Sequence, residues 1–177
     1  MTSRQEVRAI CQIPRFEHVI GWCKADDGTV LAATGRGLHR GPSNWDYPRT
    51  HAPRTHALPW VQILQATWET PELVITWEDE LTADQVRHET FRLPQPGDLP
   101  SAVQAMVTES VVTRQHVPLL DLPDEAGAQL VARRQPREPD APVRWSVVFD
   151  SGLDPTDPQL REAADLALAR ARAALGI

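Results

Sequence analysis

The sequence predicts an α+β protein: a bent antiparallel sheet, or partial barrel, capped by a helix and followed by a β-hairpin with a second helix. Three observations carry this prediction. Short apolar segments recur at close intervals from Val19 onward, and the series ends in an amphipathic segment. Asp27-Gly28 separates two β-branched runs, which is a strong hairpin signal. A second helical stripe follows Pro158.

The first predicted strands are Val19–Ala25 and Thr29–Thr34, joined by the Asp-Gly turn. Strand parity directs Cys23 inward, as a small apolar side chain. Glycines on both sides of Arg36 then allow a second tight turn, which leads into a short strand, Leu38–Arg40.

A second strand pair is predicted over residues 60–69 and 73–78, around Thr70-Pro71-Glu72. Apolar residues alternate in both segments with the period of half-buried strands. The segment Arg87–Leu93 alternates in the same way and fits an edge strand with one apolar face.

The capping helix is predicted to begin near Asp98 or Ser101 and to run to about residue 115. Its apolar residues lie along one stripe that must cover the sheet. The stripe consists of Leu99, Val103, Met106, Val107, Ser110 and Val111. The β-branched residues at 111–113 weaken the last turn, and Pro118 prevents continuation.

The C-terminal part predicts strands over 129–133 and 143–150 and a helix from about Pro158. Asp157 is the expected N-cap of this helix, and Gly176 ends it. The predicted organisation is therefore an N-terminal segment (1–16), a β-rich domain with its closing helix (17–117), and a hairpin–helix extension (125–177) that packs on this domain.

Composition limits the classes of partner. The formal net charge of −6 disfavours binding of nucleic acid and of anionic membranes, because both attractions need a positive field. No apolar window is long enough to span a membrane, and the start of the chain has no signal-peptide pattern. The two cysteines, Cys11 and Cys23, are expected to be free thiols in a reducing cytoplasm. Arginine, alanine and proline dominate over a single lysine, which is typical of a GC-rich genome.

A family resemblance rests on VIGWCKADDGTVLAATGRGLHRG, on LPWVQILQATWE and TPELVITWED, and on the predicted helix at 99–115. These segments resemble the bacterial branch of the pleckstrin-homology-like (PH-like) superfold. In that branch a hairpin ending in Thr-x-Arg-x-Leu leads to a Pro-Trp or Pro-Leu strand start, and a helix caps one end of the barrel. The resemblance covers roughly residues 17–115. The loop 41–58 and the C-terminal extension depart from it.

The resemblance implies a scaffold that hosts lipid binding, peptide binding or plain scaffolding, so function has to come from sites. Phosphoinositide binding in such domains typically uses lysines and arginines of the first hairpin. Here that turn reads Lys24-Ala25-Asp26-Asp27-Gly28. Its two carboxylates repel phosphate, so we do not expect lipid headgroups there.

The loop 41–58 and the turn before it contain the candidate ligand- or partner-binding residues. Between residues 36 and 56 the only acid is Asp46, whereas basic and aromatic side chains are frequent. The candidates are Arg36, Arg40, Trp45, Tyr47, Arg49, His51, Arg54 and His56. A solvated surface loop explains the same residues, and the sequence favours that interpretation because charge clusters on loops are common.

No metal, cofactor or catalytic site is predicted. Cys11, His18 and Cys23 lack the paired spacing of zinc ligands. Asp150, Asp154 and Asp157 lack the rhythm of a calcium loop and are placed to initiate turns or to cap a helix. No serine lies in a Gly-x-Ser-x-Gly elbow, and neither a phosphate-binding loop nor His-Glu-x-x-His occurs.

The sequence therefore predicts a non-enzymatic cytoplasmic protein-interaction module. Its partner is expected to be another protein, with a homodimer as a second option, and not nucleic acid or membrane. The alternative is a binder of a small or anionic ligand through the loop 41–58. An enzyme whose residues assemble from distant segments is the third hypothesis.

Overall fold

A computed structural model of the protein describes residues 3–42, 57–78, 86–120 and 125–176. In these residues the fold is α+β, with three antiparallel sheets and three α-helices. The described strands belong to three separate sheets and close no barrel among themselves. None of the described helices combines the length and the apolar character needed to cross a membrane.

The chain divides into two compact units. Unit 1 comprises Met1–Ser110 and Gln135–Pro139. Unit 2 comprises Val111–Arg134 and Asp140–Ile177.

Unit 1 begins with a short helix, α1 (Arg4–Ile10), in the segment that the sequence left without an element. A capping box forms its N-terminus: Glu6 N–H donates to the Ser3 hydroxyl, and Ser3 N–H donates to the Glu6 carboxylate. These two bonds satisfy backbone donors that a helix start leaves open. The Ser-x-x-Glu pattern was therefore a readable helix signal.

The first sheet of unit 1 is a four-stranded meander, with the strands in sequence order. Its strands are β1 (Val19–Lys24), β2 (Val30–Thr34), β3 (Gly37–Gly41) and β4 (Ala57–Pro59). The predicted hairpin and the short third strand are confirmed. Asp27 stabilises the β1–β2 turn, because its carboxylate accepts from the backbone N–H and the hydroxyl of Thr29.

The second sheet of unit 1 follows a one-turn 3-10 helix, Trp60–Gln62. It contains β5 (Ile63–Glu69), β6 (Glu72–Glu78) and β7 (Val86–Arg92), in that order. The predicted strand pair is confirmed. Within the described residues β7 is also an edge strand, as its alternating pattern predicted.

Helix α2 (Leu99–Ser110) closes unit 1 and buries the predicted stripe. Its predicted length was wrong, because the chain changes to strand β8 (Val111–Pro118) directly after Ser110. The reason is the run Val111-Val112-Thr113. Branching at Cβ restricts χ1 in a helix and is favoured on a pleated sheet.

Unit 2 contains a three-stranded sheet in place of the predicted hairpin, because β8 pairs with the next strand. The other strands are β9 (Gly127–Arg133) at the centre and β10 (Arg144–Phe149) at the far edge. Helix α3 (Pro158–Leu175) follows, with Leu160 and Ala164 in a core that includes Ala128 and Leu119.

The predicted ends of α3 are confirmed. The Asp157 carboxylate accepts from the N–H groups of Gln159 and Leu160, and Gly176 adopts the left-handed conformation at the C-terminus. Asp154 is also a turn residue, because its side chain accepts from the N–H and the hydroxyl of Thr156. Both aspartates have the roles that their spacing predicted.

The main core of unit 1 lies between the two sheets and α2. Trp60, Trp77, Val103 and Met106 are buried in it, and Trp68 packs against it. Helix α2 lies against β1 and against β5, which carries Trp68, so the predicted stripe covers the sheets. Cys23 is buried in the same core, as its strand parity predicted.

A second, smaller core covers the opposite face of the first sheet. Val7, Cys11 and Ile13 pack there against Val30 and Ala32 of β2. The first sheet is thus buried on both faces. Cys11 occupies the C-cap position of α1 and is fully buried, so neither cysteine lies at the surface.

We expect Met106→Ala to lower the free energy of unfolding by about 2–5 kcal/mol, because it removes a buried side chain from the main core. Gln104→Ala, on the exposed side of the same helix, should change it by less than about 0.5 kcal/mol. Urea unfolding of both variants measures the difference. If Met106→Ala loses no more free energy of unfolding than the control does, α2 does not pack in the main core.

Both cysteines should resist alkylation in the native protein. Each is free, and burial raises the pKa of both thiols to about 12, so the reactive thiolate is scarce near neutral pH. Mass spectrometry after iodoacetamide treatment should show no modification in buffer and two modifications in denaturant. Rapid native labelling of Cys11 would show that the small core opens.

Candidate functional site

The described residues include two of the eight predicted site residues, Arg36 and Arg40. The other six, Trp45, Tyr47, Arg49, His51, Arg54 and His56, lie outside the described residues, and their role stays a prediction. Arg36 lies in the β2–β3 turn and is exposed, whereas Arg40 lies on β3 and is partly buried.

Arg40 joins the two sheets of unit 1. Its guanidinium lies 2.9 Å from a Glu89 carboxylate oxygen on β7 and 5.6 Å from the centre of the Phe91 ring. An anionic ligand at Arg40 would have to compete with this partly buried ion pair. The assignment of Arg40 to ligand binding stays a prediction from the sequence.

A cluster of buried polar side chains, which we call the Glu17–His39 cluster, consists of Glu17, Thr34 and His39. The Thr34 hydroxyl donates to Glu17 Oε2 at 2.8 Å, and His39 Nε2 lies 3.0 Å from the same oxygen. The exposed fractions of the His39 and Glu17 side chains are only 3% and 9%. A carboxylate only accepts hydrogen bonds, so this pair requires a proton on His39 Nε2.

Strand parity places this cluster on the face of the first sheet that the small core covers. His39 pairs in register with Ala32, whose side chain belongs to the small core, and Thr34 shares its parity. None of Glu17, Thr34 and His39 is among the candidate site residues that the sequence predicted. The available signal was a hydroxyl residue at the end of the apolar run VLAAT, because such a group needs a partner when it is buried.

Further hydrogen bonds fix the turn between β2 and β3. The indole N–H of Trp60 donates to the Thr34 carbonyl at 2.9 Å. The Gln135 side-chain amide donates to the carbonyls of Gly35 and Arg36 at 2.9 and 3.0 Å. The turn that carries Arg36 is therefore held from the core side and by a distant part of the chain.

The residues before Glu17 are held as well. The Arg8 guanidinium donates to the carbonyl of Glu17 at 2.6 Å and to the carbonyl of Pro14. These bonds close the segment from α1 to β1 over the small core. They also fix the backbone on both sides of Phe16.

Phe16 is the most exposed large apolar residue of the described chain, with 75% of its surface accessible. The Arg36 guanidinium lies over its ring, 5.3 Å from the centre. We call Arg15, Phe16 and Arg36 the Phe16 patch. It is an exposed aromatic–arginine surface on a hydrogen-bonded backbone, and of its three residues only Arg36 was predicted from the sequence.

Unit 2 has a polar cluster of its own. The Asp150 carboxylate accepts from the Gly127 N–H at 2.8 Å and lies 2.8 Å from His116 Nε2. The hydrogen bond with His116, followed by that from Gly127, holds the pKa of Asp150 below its usual range. These contacts tie the ends of the three strands together. Across the described residues, no three His, Cys, Asp or Glu side chains form a group that could hold a metal ion.

Comparisons with known proteins name no family for this chain. No protein-family model matches it, and no curated protein matches it at a significant level. The resemblance of residues 17–115 to the PH-like superfold therefore stays a prediction from sequence motifs.

Glu17→Ala should lower the free energy of unfolding by about 1–3 kcal/mol, because it removes the shared acceptor of two buried polar groups. Glu17→Gln keeps an acceptor oxygen and should cost less. Glu109→Ala, an exposed acid on α2, is the control and should stay within about 0.5 kcal/mol of the native protein. If Glu17→Ala and this control are equally stable in urea, the Glu17–His39 cluster does not stabilise the N-terminal segment.

Proposed function

We propose that this chain is a non-enzymatic cytoplasmic protein-interaction module on a PH-like scaffold, and that it binds its partner through the Phe16 patch. The observation that carries the proposal is the 75% exposure of Phe16 on a backbone that hydrogen bonds to the Pro14 and Glu17 carbonyls hold on both sides. Burying this ring in an interface gains hydrophobic free energy, and the fixed backbone lowers the entropic cost of binding.

The types of residue in the Phe16 patch support a protein partner. Aromatic residues and arginine are enriched in protein–protein interfaces, and arginine is frequent among the residues that contribute most to affinity. Phe16 and Arg36 already contact each other, 5.3 Å from guanidinium to ring centre. At an exposed site such a contact contributes about 0.5–1 kcal/mol, so it orients the arginine without removing it from solvent.

The order of elements in unit 1 supports the PH-like scaffold. Two successive meanders, of four and three strands, are followed by a helix that buries its apolar stripe between them. This is the order of bent sheet and closing helix that the resemblance implies.

The first hairpin favours a protein over a phospholipid headgroup as the partner. Its turn carries Asp26 and Asp27 beside Lys24. Asp27 is engaged by Thr29, and Asp26 lies 3.8 Å from the Arg92 guanidinium in an exposed pair. Two carboxylates at this turn repel the phosphates that the hairpin of a headgroup-binding relative attracts.

Affinity capture from a lysate of the encoding organism, quantified by mass spectrometry, tests the function. We expect at least one protein to be enriched by the full chain and to be reduced about tenfold or more by Phe16→Ala, which corresponds to roughly 1.4 kcal/mol. Phe16→Ala should unfold at nearly the same urea concentration as the native protein, because its side chain is exposed.

The matched control is Leu166→Ala, which removes another exposed apolar side chain, on α3. It should capture the same proteins as the native chain. If Phe16→Ala also captures them in unchanged amounts, the patch is not the interface. If the native chain enriches nothing, the interaction function itself is wrong.

A further inference from the structure

We propose that the Phe16 patch recognises an acidic peptide segment of the partner, in which carboxylates flank an apolar side chain. This inference rests on the proposed function and adds the chemistry of the partner. It assigns recognition to Arg15, Phe16 and Arg36. Of these three, only Arg36 is among the residues that the sequence predicted.

The first argument is the charge of the patch. Arg15 precedes Phe16 directly and is exposed, and Arg36 is exposed above the ring. The acid that follows Phe16 in the chain, Glu17, directs its carboxylate into the buried cluster with Thr34 and His39. The patch therefore presents two positive charges, whereas the whole chain has a net charge of −6.

The second argument is the state of the Arg36 guanidinium. Its contact among the described residues is the face of the Phe16 ring, and it forms no ion pair with any of them. Arg40 differs, because Glu89 already neutralises it. A guanidinium that contacts an aromatic ring without an ion pair can still bind a carboxylate with two parallel N–H···O hydrogen bonds.

The third argument is the apolar surface itself. A purely anionic ligand would pair with the arginines and leave Phe16 in water. A peptide that places an apolar side chain on the ring gains free energy from both contacts. The patch therefore favours a peptide in which acidic residues flank an apolar residue over a polyanion.

Fluorescence anisotropy with labelled peptides tests the inference on the full chain. The probe is a peptide with a central leucine and two glutamates on each side. One control peptide replaces every glutamate by glutamine, and another replaces the leucine by serine. A single-stranded oligonucleotide and vesicles containing an anionic phospholipid represent the other anionic partners.

We expect the probe to bind at low salt, more weakly at high salt, and at least about tenfold more tightly than either control peptide. Arg36→Gln and Phe16→Ala should each weaken binding about tenfold or more, and Arg15→Gln should weaken it less. Arg170→Gln, an exposed arginine on α3, should leave binding unchanged. Urea unfolding verifies that each variant is folded.

Two results would overturn the inference. Tighter binding of the oligonucleotide or the vesicles than of the probe would show that the patch selects charge alone. Absence of probe binding, or binding that Arg36→Gln does not weaken, would exclude an acidic peptide. If the lysate experiment still shows loss of a partner in Phe16→Ala, the interaction function stands and only the partner chemistry is wrong.

Discussion

Unit 1 depends on the burial of β2 at every one of its five residues. Leu31 and Ala33 face the main core, and Val30 and Ala32 face the small core under the N-terminal segment. A strand covered on both faces cannot leave a polar group unsatisfied, because an unpaired buried hydroxyl costs about 1–3 kcal/mol. The hydroxyl of Thr34, at the end of β2, is therefore the place where the packing needs a polar partner.

The Glu17–His39 cluster provides that partner and thereby determines where the candidate site lies. Glu17 turns its carboxylate inward to Thr34 and His39. The residue before it then lies on the outside, and Phe16 is exposed next to the β2–β3 turn. An internal requirement for hydrogen bonding thus places an aromatic ring beneath Arg36, 5.3 Å from its guanidinium.

Arginines of similar sequence context have different roles in this fold. Arg8 holds the backbone of the N-terminal segment, Arg40 pairs with Glu89 between the sheets, and Arg36 is exposed. All three lie in polar or mixed stretches of the sequence, so composition does not separate them. The roles of Arg8 and Arg40 follow from the acceptors that face them, and those acceptors lie 6 or more positions away in the chain.

Local sequence patterns were sufficient to predict the α+β class, the first hairpin, the β5–β6 pair, the buried stripe of α2 and both caps of α3. These features depend on neighbouring residues: turn chemistry, period and capping act within a few positions. At residues 111–113 the helical stripe and the β-branched residues predicted different structures. The β-branched residues form a strand there that pairs with β9. The Phe16 patch, in contrast, forms only in the folded chain. Phe16 and Arg36 are 20 positions apart in the chain, and only the folding of the N-terminal segment over the first sheet brings them together.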